Sequence, residues 1–201
     1  MTENGGLAFI YGGPTKIVFG CGTALDAEGE MSTLGCHRAV VITDEGVLRA
    51  GLAGPVVDSL GRKCVGVFSE IPQDSGTDVV EAGADFARSR GADVVISIGG
   101  GSVIDTAKGI CILLTEGGTL DDFNGIQMLT RLQTPHIAVP TTAGTGSEVT
   151  WIAVIMDRRQ GQKRYVIEYF NSPRVGILDP RMTEKLPPLL TAGTGMDAMC
   201  H

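Results

Sequence analysis

Apolar residues along the chain follow two spacings in turn, and this alternation predicts strands separated by helices. Short continuous apolar runs, typical of strands buried on both faces of a parallel sheet, recur along the first 180 residues. The segments between them place apolar residues at helical spacing, and one such segment stops at Gly91, a residue type that commonly ends helices. The predicted strands are 16–20, 39–43, 64–68, 93–98, 137–139 and 175–178. The predicted helices are 26–34, 46–60, 77–90 and 102–114.

Strands and helices in this order predict an α/β fold, namely a doubly wound, mostly parallel, Rossmann-like sheet with right-handed crossovers. Ligands of such sheets lie at the carboxyl ends of the strands. After Ser147 the pattern changes, because two β-type runs, 150–156 and 164–169, flank a turn and predict a β-hairpin extension. We expect residues 1–185 to form the α/β domain and residues 186–201 to begin a helical one.

Composition narrows the class of protein. The 201 residues are 43% hydrophobic and 19% charged, which is typical of a globular chain and excludes a disordered one. A net charge of −7 without a basic patch argues against nucleic-acid binding. We expect no membrane partner, because no apolar run is long enough to span one and the polar start, 1–6, lacks a leader pattern. Five cysteines at irregular spacings predict reduced thiols and a cytoplasmic location.

The turn after the fourth predicted strand is the sharpest local signal for ligand binding. Gly99, Gly100, Gly101 and Ser102 follow a buried strand and precede a helix. The glycines let the backbone approach a ligand, and the amides and dipole of the helix start favour an anion such as a phosphate. The spacing matches neither the GxGxxG motif nor the P-loop. The alternative is a glycine-rich turn in which Ser102 is a plain N-cap.

Two further strand ends carry polar side chains. The fifth predicted strand ends in a loop whose hydroxyls, including those of Thr141, Thr142 and Thr145, could bind a polar ligand from several sides. A capped surface loop is the alternative. Asp44 follows the second predicted strand, where a carboxylate can accept both ribose hydroxyls of an adenosine and would repel a 2′-phosphate. This position favours NAD over NADP, although an aspartate at a strand end is also common without any ligand.

Near the chain end, Asp197 and His201 are four residues apart. On a helix this spacing places both side chains on one face, close enough to chelate one divalent cation such as Fe(II) or Zn(II). Two ligands do not complete a catalytic site, which needs a third or a fourth. By spacing alone, a helix-face carboxylate near an exposed histidine is the simpler interpretation.

Taken together and in their order along the chain, these motifs resemble those of the iron-containing (group III) alcohol dehydrogenases. The resemblance runs from about Lys16 to His201, and the run 141–148 is more similar to the alcohol dehydrogenase branch than to dehydroquinate synthase or glycerol dehydrogenase of the same superfamily. The motifs that carry it are Gly99-Gly-Gly-Ser102 with Asp105 and Lys108, Pro140-Thr-Thr-Ala-Gly-Thr-Gly-Ser-Glu148, Leu178-Asp-Pro180, Leu186-Pro-Pro188 and Gly195-Met-Asp-Ala-Met-Cys-His201.

The resemblance implies an NAD site and half of a metal site. The residues it implies for NAD are Asp44, Gly99, Gly100, Gly101, Ser102, Asp105, Thr141, Thr142, Thr145, Lys163, Met182 and Leu186. The glycine turn would hold the pyrophosphate, and Asp44 the adenosine ribose. Lys163 would lie near ribose and phosphates, with a solvated lysine beside Arg164 as the alternative. Asp197 and His201 match the first two of four ligands for Fe(II), or Zn(II).

Two departures from the family pattern matter. The family carries a C-terminal helical domain with two further histidine ligands, whereas this sequence ends at His201. We interpret His37 and His136 as structural or surface residues, so the metal site is expected to be incomplete and the chain a truncated form with little activity. Gln73 stands where an asparagine often contacts the adenine side, which puts that contact in doubt.

The resulting hypothesis is an NAD-dependent oxidoreductase that interconverts a small alcohol and its aldehyde or ketone by metal-assisted hydride transfer. No residue is an obvious general base. A homodimer is a further expectation from the family, and 186–200 is expected to be locally disordered or to self-associate. The alternatives are a non-catalytic nucleotide-binding module and a metal-free enzyme similar to maleylacetate reductase, against which the pair Asp197 and His201 argues.

Overall fold

A computed structural model of the chain describes residues 12–158 and 160–201. Its main sheet has six parallel strands in the order β1-β9-β6-β4-β2-β3. The strands are β1 (Lys16–Phe19), β2 (Ala39–Thr43), β3 (Cys64–Phe68), β4 (Val94–Gly99), β5 (Gly125–Ile126), β6 (His136–Pro140), β7 (Ile152–Asp157), β8 (Gln162–Ile167) and β9 (Val175–Leu178). The α-helices are α1 (Ala27–Thr33), α2 (Glu45–Arg49), α3 (Ala53–Leu60), α4 (Thr77–Ser89), α5 (Gly101–Glu116) and α6 (Pro188–Cys200).

This sheet confirms the predicted α/β fold, with helices on both faces. Alternate residues of the central strands enter two cores: Val40 and Val95 pack with α4 and α5, whereas Val41 and Ile96 pack with α1 and α3. Strands β2, β4 and β6 are buried along their whole length. Burial on both faces is why these strands are continuous apolar runs in the sequence.

A second, three-stranded sheet lies against α5, in the order β5-β8-β7. Its antiparallel strands β7 and β8 form the predicted hairpin, although the second strand occupies 162–167 instead of 164–169. Ala153, Ile155 and Val166 bury one face of this hairpin in the core that contains α5. The two-residue strand β5 was not predicted, because so short a segment carries no periodicity.

The predicted helix 46–60 was wrong as a single element. The chain forms α2 and α3 instead, because Gly51 adopts a left-handed conformation with φ of 73° and ends the first helix. The predicted helix 26–34 is preceded by a 3₁₀ turn, Thr23–Asp26, before α1 begins. These differences leave the topology unchanged.

The Leu178-Asp-Pro180 motif connects the turn that follows β1 to the end of β9. Asp179 is buried, and one carboxylate oxygen accepts the amides of Gly22 at 2.8 Å and Ala24 at 3.2 Å. The other oxygen accepts the amide of Arg181 at 3.0 Å. The motif therefore closes the edge of the fold on the side of β1.

The described ranges contain no helix with both the length and the hydropathy that a bilayer crossing requires. Residues 1–6, on which the expectation of no leader rests, lie outside these ranges.

Candidate functional site

The carboxyl ends of β2, β4 and β6 meet at one edge of the main sheet, where a cleft of about 1150 Å³ opens. Clefts for small ligands usually measure about 300–1000 Å³, so this one has room for an extended dinucleotide. The loops after these strands are the ones that the sequence singled out. The predicted site residues that line the cleft are Asp44, Gly100, Gly101, Ser102, Thr141, Thr142, Thr145, Met182 and Leu186.

The three glycines allow two loops to pack together closely. A Cβ atom at Gly100 would lie 3.2 Å from Thr142 Oγ1, and one at Gly101 would lie 2.9 Å from Thr145 Cγ2. At Gly99 the same atom would lie 2.6 Å from Val103 Cβ. The glycines thus make room for protein atoms, and the glycine turn and the threonine loop (141–147) form one continuous wall of the cleft.

The start of α5 forms part of this wall. Its N-cap is Gly100, which makes no side-chain hydrogen bond, so the interpretation of Ser102 as an N-cap was wrong. The first amides to bond within the helix are those of Val103 and Ile104, both of which donate to Gly100 O. The amides of Gly101 and Ser102 precede them, and no acidic side chain occupies the first turn. Free amides and a positive helix end make this position suitable for a phosphate.

Asp44 lines the cleft between β2 and α2, next to the strand β4 that precedes the glycine turn. One carboxylate oxygen, Oδ1, accepts the amide of Val47 at 2.9 Å and caps α2. Within the described ranges Oδ2 makes no hydrogen bond, so it is available to a ligand. Glu45 and Glu70 also line the cleft, and Glu45 is paired with Arg49, another lining residue, at 2.8 Å.

Apart from Gln73, the other residues of the cleft lining were not predicted. Segment 69–73 follows β3, which is the neighbour of β2 at the same sheet edge, and the β3 strand end was the signal that could have indicated it. Gln73 lies in this segment and lines the cleft. Arg158, from the hairpin turn, and Leu190 and Thr194, from α6, line it as well, and no local sequence signal marked them.

Three residues implied by the resemblance lie outside the cleft lining. Gly99 is buried at the end of β4. Asp105 is only 8% exposed and accepts the Val154 amide at 3.0 Å, on the side of α5 that meets the hairpin. Lys163 is exposed on β8, with its Nζ 3.9 Å from Asp74 Oδ1. The structure therefore does not place Asp105 or Lys163 among the residues that line the cleft.

Helix α6 meets the threonine loop at Gly144. His201 Nδ1 lies 3.2 Å from Gly144 O, and a Cβ atom at Gly144 would lie 2.3 Å from Thr194 O. A histidine whose Nδ1 donates to a carbonyl presents Nε2 to a metal, which is the usual arrangement of metal-binding histidines. Asp197 precedes His201 by one helical turn, and its backbone carbonyl accepts the His201 amide at 3.2 Å.

The donors of α6 fit half of a metal site. A carboxylate and an imidazole suit Fe(II) or Zn(II). Over residues 12–158 and 160–201, no group of three or more His, Cys, Asp or Glu side chains could hold a metal ion.

The other two histidines lie away from the cleft. His37 is exposed. His136 is 2% exposed on β6, and its Nε2 lies 2.7 Å from Ser97 Oγ. Burial lowers the pKa of His136 to about 3, with a smaller contribution from the Lys108 charge, so the ring is neutral.

Known proteins share both the sequence pattern and the architecture of this chain. The iron-containing alcohol dehydrogenase family matches residues 14–180. The chain is 36% identical over 197 residues to sulfoacetaldehyde reductase from Bilophila wadsworthia, across 97% of this chain and 51% of that protein. A crystal structure of sulfoacetaldehyde reductase from Bifidobacterium kashiwanohense in complex with NAD+ matches with a TM-score of 0.88 and 33% identity, across 96% of this chain and 51% of that one.

A solved 1,3-propanediol oxidoreductase matches with a TM-score of 0.90 and 33% identity, across 96% of this chain and 51% of the other. The chain spans about half the length of these relatives. The matched share includes the main sheet and the loops around the cleft. The chain belongs to the iron-containing alcohol dehydrogenase family.

Proposed function

We propose that the cleft binds NAD and that the chain serves an NAD-dependent oxidoreductase acting on a small alcohol or its aldehyde or ketone. The observation that carries this proposal is the convergence of the glycine turn, the threonine loop and Asp44 around one cleft. Relatives named sulfoacetaldehyde reductase and 1,3-propanediol oxidoreductase support the substrate class, and one solved sulfoacetaldehyde reductase is in complex with NAD+.

The proposed cofactor pose follows from the charges of the cleft. The pyrophosphate lies at the start of α5, where the amides of Gly101 and Ser102 and the helix dipole favour an anion. The adenosine ribose lies at Asp44, whose Oδ2 accepts its hydroxyls. The nicotinamide then extends toward Thr145 and the threonine-loop face of α6. Asp44 excludes the 2′-phosphate of NADP by charge repulsion.

The residues at the end of α6 would hold the metal in this proposal. Bound there, a divalent cation supplies Lewis-acid polarisation of the substrate oxygen. Asp197 would supply a negatively charged oxygen ligand. His201 would supply a neutral nitrogen ligand, and its contact with Gly144 O fixes the orientation of the ring. This contact links the metal-binding helix to the loop that lines the cofactor cleft, so the two sites share one support.

Calorimetric titration of the chain with NAD and with NADP, without metal, tests the cofactor assignment. We expect saturable NAD binding that is tighter than NADP binding. Asp44→Ala should weaken the binding of NAD by about tenfold or more, because hydrogen bonds to a charged group are lost. Asp44→Ser is the matched variant, because serine still caps α2 while the carboxylate is removed.

The Asp44→Ser variant should lose most of the discrimination between NAD and NADP while its thermal midpoint stays near that of the parent chain. Equal affinity of the parent chain for both cofactors would contradict the role of Asp44. Absence of binding to either would contradict the cofactor assignment itself.

A further inference from the structure

Two charged side chains next to the glycine turn lie inside the molecule and do not line the cleft. Lys108 is 0% exposed and Asp105 is 8% exposed. They are one turn apart on α5, with Lys108 Nζ 3.5 Å from Asp105 Oδ1. Because burying two charges costs solvation, such a pair rarely adds stability compared with apolar side chains of similar volume. Its presence beside the cleft therefore calls for a different physical reason.

The pair forms hydrogen bonds with backbone groups at the open edge of strand β7. This strand is the last of its sheet. Among the described residues a backbone bridge from Gly76 covers its outer edge at Met156, whose amide donates to Ser75 O at 2.9 Å, and the earlier part of that edge faces α5. Lys108 Nζ donates to Ile152 O at 2.7 Å, and the Val154 amide donates to Asp105 Oδ2 at 3.0 Å. Lys108 Nζ also reaches Thr150 Oγ1 at 3.3 Å. Helix α5 thus holds β7 through side chains, where another strand would hold it through its backbone.

The strand held in this way continues directly from the threonine loop. Ser147, at the end of that loop, is buried beside the pair. Burial raises the pKa of the Asp105 carboxyl, while the Lys108 charge and hydrogen bonds from Val154 and Ser147 oppose the rise. Asp105 therefore interacts with both the end of the loop and the strand that follows it.

The other partner of the threonine loop is the start of α5. A Cβ atom at Gly101 would lie 2.9 Å from Thr145 Cγ2, so the two loops pack without spare room. A shift of α5 along the hairpin would change this contact and the spacing across the cleft wall. The pair lies one to two turns further along the same helix and forms the second place where α5 meets the 141–154 segment.

We propose that Asp105 and Lys108 are positioning residues for the dinucleotide. They fix the distance between the glycine turn and the threonine loop, so that helix amides and threonine hydroxyls can bind one pyrophosphate. Neither residue touches the cofactor. This inference rests on the proposed function and gives Asp105 a role different from the direct contact that the family resemblance implied.

The test compares a ligand with a pyrophosphate and one without it. NMR titration of the 201-residue chain with ADP-ribose and with adenosine measures both affinities. Lys108→Met should weaken the binding of ADP-ribose by about tenfold, as expected when a supporting contact is lost. Adenosine affinity should change by less than about twofold, because Asp44 lies on β2 and α2, away from the pair. Asp105→Asn, which keeps the side-chain shape, should show the same selective loss to a smaller extent.

The matched control is the ion pair of Asp85 and Arg88 on α4. It has the same spacing of three residues and a 2.6 Å contact, but both side chains are largely exposed. Asp85→Asn and Arg88→Met should leave both affinities unchanged. Equal loss of both ligands in the Lys108 variant, or a lower thermal midpoint with unchanged ADP-ribose affinity, would overturn the positioning role.

Hydrogen exchange gives a readout that needs no ligand. In Lys108→Met we expect faster exchange in 99–104 and 141–147, with β2 and β3 unchanged. Unchanged exchange in both loops would overturn the inference even if NAD binds. If the parent chain binds no nucleotide, the proposed function fails, and the exchange data still decide whether the pair fixes the loops. Should Lys108→Met not fold, Asp105→Asn supplies the same measurements.

Discussion

The cleft wall and helix α6 both carry family motifs, yet they are built in opposite ways. The glycine turn and the threonine loop are seated on fully buried strands and pack against each other without spare room. Helix α6 has no buried residue; Leu189 is 84% exposed and Met199 is 80% exposed. The shape of the cleft wall is therefore set by contacts inside the described ranges, whereas an exposed apolar helix face of this kind is typical of an interface.

The largest expected effect is the pH dependence of stability that the buried, neutral His136 on β6 produces. Burial lowers the pKa of His136 to about 3, whereas an unfolded chain binds a proton near about pH 6.5. The contribution of neutral His136 to the free energy of unfolding is complete above about pH 6.5 and is lost as the pH falls toward 3, because the unfolded state gains the proton first. The slope is about 1.4 kcal/mol per pH unit for this one group. Urea unfolding between about pH 7 and pH 4 measures it.

His136→Gln should flatten this slope, because glutamine can hydrogen-bond Ser97 without titrating. His37→Gln is the control, since it removes an exposed imidazole instead of a buried one, and the slope should persist. A slope that survives in His136→Gln would show that other groups produce the pH dependence.

The next effect tests the tight packing of the cleft wall. Gly99→Ala places a Cβ atom 2.6 Å from Val103 Cβ, and neither atom is the end of a flexible chain. We expect the free energy of unfolding to fall by about 1–3 kcal/mol and NAD affinity to fall with it. Gly54→Ala on α3 is the control, because nothing lies within 4 Å of its Cβ position and alanine favours a helix. Equal stability of the two variants would contradict the packing argument.

The smallest global effect tests the attachment of α6. Gly144→Ala would bring a Cβ atom to 2.3 Å from Thr194 O, at a residue with φ of 151°. We expect α6 to separate from the loop, with faster exchange of its amides and a small change in the thermal midpoint, because α6 buries no residue. Gly193→Ala, in an open part of α6, should slow the same exchange. Unchanged α6 exchange in Gly144→Ala would show that this contact does not hold the helix.

The sequence alone determined the architecture and the centre of the site. Buried parallel strands need apolar residues on both faces, so β2, β4 and β6 were visible as continuous runs. Their carboxyl ends must share one sheet edge, so the order of strands alone predicted that Asp44, the glycine turn and the threonine loop lie together. The break between α2 and α3 was missed because Gly51 left the apolar pattern on either side intact.

Only the tertiary structure decided which residues face the cleft. Asp105 and Lys108 bond to residues 42 to 49 positions away, at the open edge of a strand, and no local pattern encodes such a partner. Lys163 lies on an exposed strand face, and Arg158 reaches the cleft from the hairpin turn, because the packing of the hairpin on α5 sets both positions. Periodicity specifies which side of an element is buried, whereas the partner of each buried polar group depends on how distant elements meet.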